Sequence, residues 1–344
     1  MNLTIDGIIY SLQKHGGISV YFNEIIYRLH RDKEIYNLLL YQNDSKALSD
    51  LPLDFLAYKK KRIFERYRNV NLEHQSHGVF HSSYYRLPEK NKGLKVITTV
   101  HDFTYEKYSK GFKKTIHSWQ KNNAIEKSDV IICVSNNTRN DLLRYCPEVN
   151  ENSVYVVHNG VNQCFEYQNN RVEDYVIFIG SRAEYKGFTE AVLALTKIYY
   201  LKLVIIGGGD LTHNEKKLLD EKIPGRYQYQ PFVSNLELNK LYNNAFCLLY
   251  PSVYEGFGIP PLEAMRAGCP VIAVNSSSIP EVVPYHEFLC DNNQPKNIID
   301  RITSLHNDAG LRNSLIHRGI AASRKFSWEN TYQRNIEIYK KLGA

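Results

Sequence analysis

Short apolar runs rich in Val and Ile recur along the chain. They alternate with longer stretches whose apolar residues return every three to four positions. The short runs predict strands at 3–6, 36–41, 79–83, 95–101, 130–135 and 154–158, then at 176–180, 203–207, 228–232, 246–250 and 271–275. The longer ones predict helices. Residues 17–30, for example, place Val20, Phe22, Ile25, Ile26 and Leu29 on one face. Strands alternating with helices imply parallel sheets covered on both faces. Residues 160–174 are polar and unpatterned, so the linker is expected there, between a domain at 1–165 and a second at 170–325. The last stretch, 326–344, is helical, carries Phe326, Trp328, Tyr332 and Tyr339, and is expected to pack back onto the first domain. A ligand is expected in a cleft between two such domains, facing the C-terminal strand ends.

Length supports this division, because 344 residues exceed one ordinary core. A hydrophobic fraction of 43% beside a charged fraction of 23% describes a globular chain. No apolar run approaches the roughly 20 residues of a membrane span. The start, M-N-L-T-I-D-G, lacks the basic and apolar segments of a signal peptide, which predicts a cytoplasmic protein. Six scattered cysteines, at 133, 146, 164, 247, 269 and 290, form no C-x-x-C pair; they read as reduced thiols, and no metal is expected. The net charge of +7 is uneven. Residues 1–165 hold 23 Lys and Arg against 17 Asp and Glu, whereas 166–344 hold 20 against 19. The positive excess therefore belongs to the first half.

Candidate chemistry gathers at predicted strand ends. Residues 254–268 (Y-E-G-F-G-I-P-P-L-E-A-M-R-A-G) set Glu255 and Glu263 either side of a Gly/Pro-rich turn. Pro261 suits a first helical position and puts Glu263 in the first turn, so strand end, glycine loop and helix N-terminus form an anion- and sugar-binding corner. Gly16-Gly17 precedes the first long helix and lets backbone approach a phosphate or sugar; the bland reading is a plain turn. His101-Asp102 closes a strand, where a histidine can hydrogen-bond a substrate hydroxyl or merely cap a loop. In V-I-F-I-G-S-R-A-E-Y-K-G (176–187), Arg182 and Lys186 stand four residues apart. Helical geometry would put both on one face, able to neutralise a diphosphate leaving group; the alternative is solvated charge. The glycines ending 203–209 are a poor dinucleotide fingerprint. No D-x-D occurs in the chain, so phosphate charge is expected to be met by Arg, Lys and a helix dipole.

These residues, in this order, resemble glycosyltransferase family 4, the retaining GT-B enzymes: Gly16-Gly17, His101-Asp102, N-G-V (159–161), G-S-R-x-x-x-K-G (180–187), F-V-S (232–234), E-G-F-G-I-P-P-L-E-A (255–264), A-G-C-P-V (267–271) and I-P-E-V (279–282). The resemblance implies two Rossmann-like domains with the active site in the interdomain cleft. The G-G-I-S-V-Y-F start is similar to the mannosyltransferase-like branch that builds bacterial O-antigen and capsule chains in lipopolysaccharide and related biosynthesis. Carried onto this chain, Glu263 contacts the donor ribose and Glu255 the donor sugar. Arg182 and Lys186 hold the diphosphate. Gly16 and Gly17 let the first loop close over it, and His101 contacts donor sugar or acceptor. Phe257, Gly258 and Ile259 offer backbone N–H groups, and Val233 with Ser234 line the base. The implied reaction moves a hexose from GDP-mannose or a UDP-sugar to a lipid-linked or growing glycan, without a metal. A sucrose- or trehalose-type synthase and a catalytically silent sugar-nucleotide-binding subunit are the alternatives. Two basic amphipathic stretches, 59–68 and 110–119, suggest contact with an anionic membrane surface, hence a peripheral place on the inner face of the cytoplasmic membrane. Their bland reading is a solvated face. Nucleic acid is not expected as a partner.

Overall fold

The computed structural model describes residues 2–13, 16–41, 56–72, 77–89 and 93–344. The chain divides into two compact units, one of Met1–Gly160 with Trp328–Ala344 and one of Val161–Ser327. Six helices matter below: α1 (Gly17–Arg31), α2 (Phe112–Glu126), α3 (His213–Lys222), α4 (Asn235–Asn244), α5 (Ile259–Arg266) and α6 (Trp328–Lys341).

In the first unit, β1 (Leu3–Asp6), β2 (Tyr36–Tyr41), β3 (Leu56–Lys59), β4 (Gly78–Ser82), β5 (Leu94–Val100), β6 (Val130–Cys133) and β7 (Val154–Val156) form one sheet in the order β3-β2-β1-β4-β5-β6-β7. Its pairs are parallel, with Leu3 opposite both Tyr36 and Val79. β1 and β4 are buried along their whole length, as strands covered on both faces must be. β3 lies outside the apolar runs recognised above. It is an edge strand ending in Lys59, and edges tolerate charge that a central strand does not. Helix α6 closes this unit, burying Trp328, Tyr332 and Tyr339. The Tyr339 hydroxyl meets His81 Nδ1 at 2.7 Å, and His81 Nε2 meets Thr99 Oγ1 at 2.8 Å. Tyr21 of α1 donates to Asn335 Oδ1 at 2.9 Å. A charged cluster also lies inside, where Arg86 reaches Asp6, Tyr41 and Glu65.

The second unit carries β8 (Tyr175–Ile179), β9 (Lys202–Ile206), β10 (Tyr227–Gln230), β11 (Cys247–Tyr250) and β12 (Val271–Ala273), in the parallel order β10-β9-β8-β11-β12. Strand order reverses between β8 and β11 here, and between β1 and β4 in the first unit. At such a switch point neighbouring loops diverge to opposite faces and leave a crevice outside the carboxyl ends of the strands. Among the described residues no helix is long and apolar enough to cross a membrane.

Candidate functional site

The second unit's switch point brings two of the predicted residues into contact. Lys186 ends a short 3₁₀ turn after β8, and Glu255 lies in the loop after β11. The Lys186 Nζ donates to both carboxylate oxygens of Glu255, at 2.7 and 2.8 Å. Three serines after β12 fix that loop. Ser276 Oγ donates to Val253 O at 2.7 Å, the Glu255 N–H donates to Ser277 Oγ at 2.8 Å, and Ser278 Oγ donates to Glu255 O and Phe257 O at 3.0 and 2.8 Å. Sequence reasoning passed over this triplet, since hydroxyls that bind backbone some twenty residues away leave no local pattern.

The helix after this loop starts earlier than expected. Its first residue is Ile259, Gly258 is the N-cap with φ +113°, and no acidic residue stands in the first turn. Pro260 and Pro261 therefore follow the first helical position, and Glu263 sits two residues further in than the sequence reading placed it. The physical reason lies in Gly258, whose positive φ turns the chain directly into the helix. The prolines then forfeit only N–H groups that have no acceptor within the helix. Phe257, Gly258 and Ile259 form the bend from that loop into the helix. Glu263 keeps some surface open, but burial pushes its carboxyl up to about 7, against the pull of the Tyr242 hydroxyl at 3.5 Å. Tyr242, on α4, is a second residue the sequence gave no reason to choose.

Arg182 and Lys186 do not share a helical face. Ala183 has an extended backbone (ψ 151°) and the turn spans only Glu184–Lys186, so Arg182 stands outside it. Its guanidinium is engaged by the glycine loop after β9: Nη1 donates to Gly207 O at 2.7 Å and Nη2 to Gly209 O at 2.7 Å and Asp210 O at 3.0 Å. Its Nε lies 3.0 Å from Glu215 of α3. The fit is close, because a Cβ at Gly208 (φ +76°) would come within 2.3 Å of Gly180 O. After β10, Ser234 caps α4: its hydroxyl accepts from the Glu237 N–H, and Glu237 reciprocates at the Ser234 N–H. Val233, beside it, is half-buried.

Gly16, Gly17 and His101 belong to the first unit. Gly16 is the N-cap of α1, with no side-chain cap. Tyr21 of this helix meets the His101 ring edge-on at 5.4 Å. His101 follows β5, and its Nε2 is buried with no hydrogen-bond partner among the described residues. Burial lowers its pKa to about 4; Lys121 adds to that and Asp102 opposes it, so the imidazole is neutral at physiological pH. Lys121, fully buried on α2, donates to Asp102 O at 2.9 Å and to Glu106 Oε2 at 2.7 Å, and so fastens the loop that presents His101. The basic stretches 59–68 and 110–119 run from the end of β3 through a 3₁₀ turn (Glu65–Tyr67) and into α2. Gln120, one residue past the second stretch, donates its Nε2 to Arg66 O of the first at 2.8 Å. Ile63, Phe64, Phe112 and Trp119 are 65–79% exposed. Among the described residues no group of three or more His, Cys, Asp or Glu could hold a metal ion, and all six cysteines are free.

Two family profiles match adjoining parts of the chain. The profile described as Glycosyltransferase Family 4 matches residues 38–163, and that described as Glycosyl transferases group 1 matches residues 162–322. The chain is 26% identical to O-antigen chain mannosyltransferase B of Escherichia coli, over 95% of this chain and 96% of that protein. Among solved structures it superposes on sucrose-phosphate synthase from Thermosynechococcus elongatus with a TM-score of 0.80 at 16% identity, covering 99% of each chain. The Anabaena protein HepE, in complex with UDP-glucose, superposes with a TM-score of 0.76 at 15% identity, covering 99% of this chain and 100% of that one. The fold shared with these structures is GT-B.

Proposed function

The chain belongs to the family 4 glycosyltransferases, and from that premise we propose that it moves a hexose from a nucleotide-diphosphate sugar to a lipid-linked or growing glycan, with retention of configuration and without a metal. The Lys186–Glu255 pair at the switch point of the second unit carries this reading. It sets a cation for a diphosphate beside a carboxylate for sugar hydroxyls, at the strand ends where ligands of such sheets bind. Glu263 takes the ribose hydroxyls, and Phe257, Gly258 and Ile259 offer amides to sugar and phosphate. Arg182 places a second positive charge beside the turn after β9. Val233 and the backbone at Ser234 flank the base. In the first unit, Gly16 and Gly17 serve the phosphates, and neutral His101 contacts a sugar hydroxyl. The absence of a D-x-D pair from the sequence supports cations and backbone, rather than a divalent ion, as the neutralising groups.

The similarity to an O-antigen mannosyltransferase along nearly the whole chain favours GDP-mannose and surface-polysaccharide synthesis. The UDP-glucose complex of the Anabaena neighbour and the sucrose-phosphate synthase neighbour keep a UDP-sugar and a small soluble acceptor as the second reading. A thermal-shift panel of GDP-mannose, UDP-glucose and other nucleotide-sugars decides between them, since a bound donor raises stability with the logarithm of its concentration over Kd. A panel in which none shifts the melting point defeats the assignment. Exposed Ile63, Phe64, Phe112 and Trp119 among the cations of 59–68 and 110–119 support peripheral binding to an anionic membrane surface on the cytoplasmic side. Equal binding to vesicles with and without anionic lipid at low salt would refute that part.

A further inference from the structure

One backbone conformation in the second unit is unfavourable for the residue that adopts it. Ser277, after β12, has φ +51°, in the left-handed region where a Cβ crowds its own chain. Among the described residues of that unit, the other non-glycine with a positive φ is Asn169, and asparagine tolerates this region. Ser277 is the second residue of a tight turn, closed by the Ile279 N–H donating to Ser276 O at 3.2 Å. Ser278 follows with φ −80° and ψ −7°. In a turn with this sequence of angles glycine is the ordinary second residue. A strained residue persists only where its surroundings enforce it, and such residues gather at functional sites.

What the turn gains is a hydroxyl that glycine lacks. Ser277 Oγ accepts from the Glu255 N–H at 2.8 Å, and Ser278 Oγ donates to Glu255 O at 3.0 Å. The peptide groups on both sides of Glu255 are held, and with them the direction in which its carboxylate leaves the backbone. The same loop is tied to the turn that carries Lys186, because the Val253 N–H donates to Tyr185 O at 2.9 Å. Glu255 is only 9% exposed, so water is a poor substitute for the Ser277 oxygen.

Lys186 is not enough to hold the carboxylate during transfer. In the ligand-free protein its ammonium grips both Glu255 oxygens, but an incoming diphosphate competes for the same cation. With Lys186 drawn to phosphate, Glu255 keeps its place through its backbone, and there the hydroxyl of Ser277 acts.

We propose that Ser277 is a positioning residue for the donor sugar, its hydroxyl holding Glu255 against the sugar hydroxyls and its left-handed turn aiming that hydroxyl. This rests on the glycosyltransferase reading above, in which Glu255 meets the donor sugar. Calorimetry on the full chain measures affinity for GDP-mannose against GDP and for UDP-glucose against UDP, with melting points in parallel. Ser277→Ala and Ser277→Gly both remove the hydroxyl, but glycine alone relaxes the turn and should melt above alanine. The expected result is a loss of about fivefold or more in affinity for the preferred nucleotide-sugar, nearly equal in the two variants, as loss of a hydrogen bond predicts. Affinity for the bare diphosphate should stay within about twofold of wild type, because Glu255 touches the sugar alone. A glycine variant that binds nucleotide-sugar like wild type would overturn the role. So would losses that follow the melting point rather than the missing hydroxyl, or equal losses for sugar-bearing and bare nucleotides. Should the alanine variant fail to fold, glycine decides by itself, since its backbone is at ease in that turn. Failure of the parent reading looks different, because there wild type itself binds neither nucleotide-sugar, and the role falls with it.

Discussion

Glu263 offers the sharpest quantitative test, because burial holds its carboxyl at about 7 and ribose hydroxyls donating to it would favour the anion. In the ligand-free protein the native state holds this proton more tightly than the unfolded chain does, whose glutamate titrates near the ordinary 4.5. Its contribution to stability is therefore full below about 4.5 and is lost as pH rises through about 7, by up to roughly 3 kcal/mol at 1.36 kcal/mol per pKa unit. Donor binding reverses the preference. If the bound carboxylate stays ionised, only about a tenth of free Glu263 is ready at pH 6 but about nine tenths at pH 8. Affinity for a nucleotide-sugar should then be about tenfold weaker at pH 6, close to 1.4 kcal/mol. The donor's own diphosphate diester does not titrate in this window, and Tyr242, the other group on Glu263, has its pKa raised well above 10. Calorimetric titration between pH 6 and 8 measures the slope. Glu263→Gln should flatten it and raise the melting point at pH 8 but not at pH 5. A wild-type affinity that does not change with pH, or a Gln variant with the same slope, would refute both the protonation argument and the ribose assignment.

Lys186→Met should lower kcat/KM for transfer by about 10²–10³, as loss of one charge-stabilising group does, and the additional Glu255→Gln change should cost less than the two single effects summed, because each residue is the other's partner. Gly208→Ala should destabilise by about 1–3 kcal/mol in denaturant titration, since its backbone is left-handed and its Cβ would strike Gly180 O. Arg86→Met should cost about 3–5 kcal/mol by the same assay, leaving Asp6 buried without its cation and Glu65 paired with Arg62 alone.

The fold was legible because both sheets are parallel with buried central strands, and buried parallel strands announce themselves as apolar runs. β3 escaped notice because an edge strand ending in lysine follows the opposite rule. The strand-end loops stood out through their glycines, yet the details inside them did not. Helix α5 begins two residues before Pro261 because a left-handed Gly258 can start a helix ahead of its prolines. Arg182 and Lys186 carry helical spacing without a helix, since one extended residue between them cancels the periodicity. Ser234 precedes Asn-Leu-Glu237, the local signature of a capping box, and the structure gives it that task. The contact of Gln120 with Arg66 joins residues 54 positions apart, which no motif connects.

Helix α6 bears on how the protein is made. The first unit draws on residues 1–160 and 328–344, so its core lacks Trp328, Tyr332 and Tyr339 until the whole second unit has left the ribosome. At about 5–20 residues per second, the interval is on the order of ten to thirty seconds. Throughout it, Tyr21 and His81 wait without Asn335 and Tyr339. The second unit, contiguous in sequence, can fold within that interval. The nascent first unit is thus the segment most in need of a chaperone, and a ribosome stalled before residue 328 would hold it unfinished.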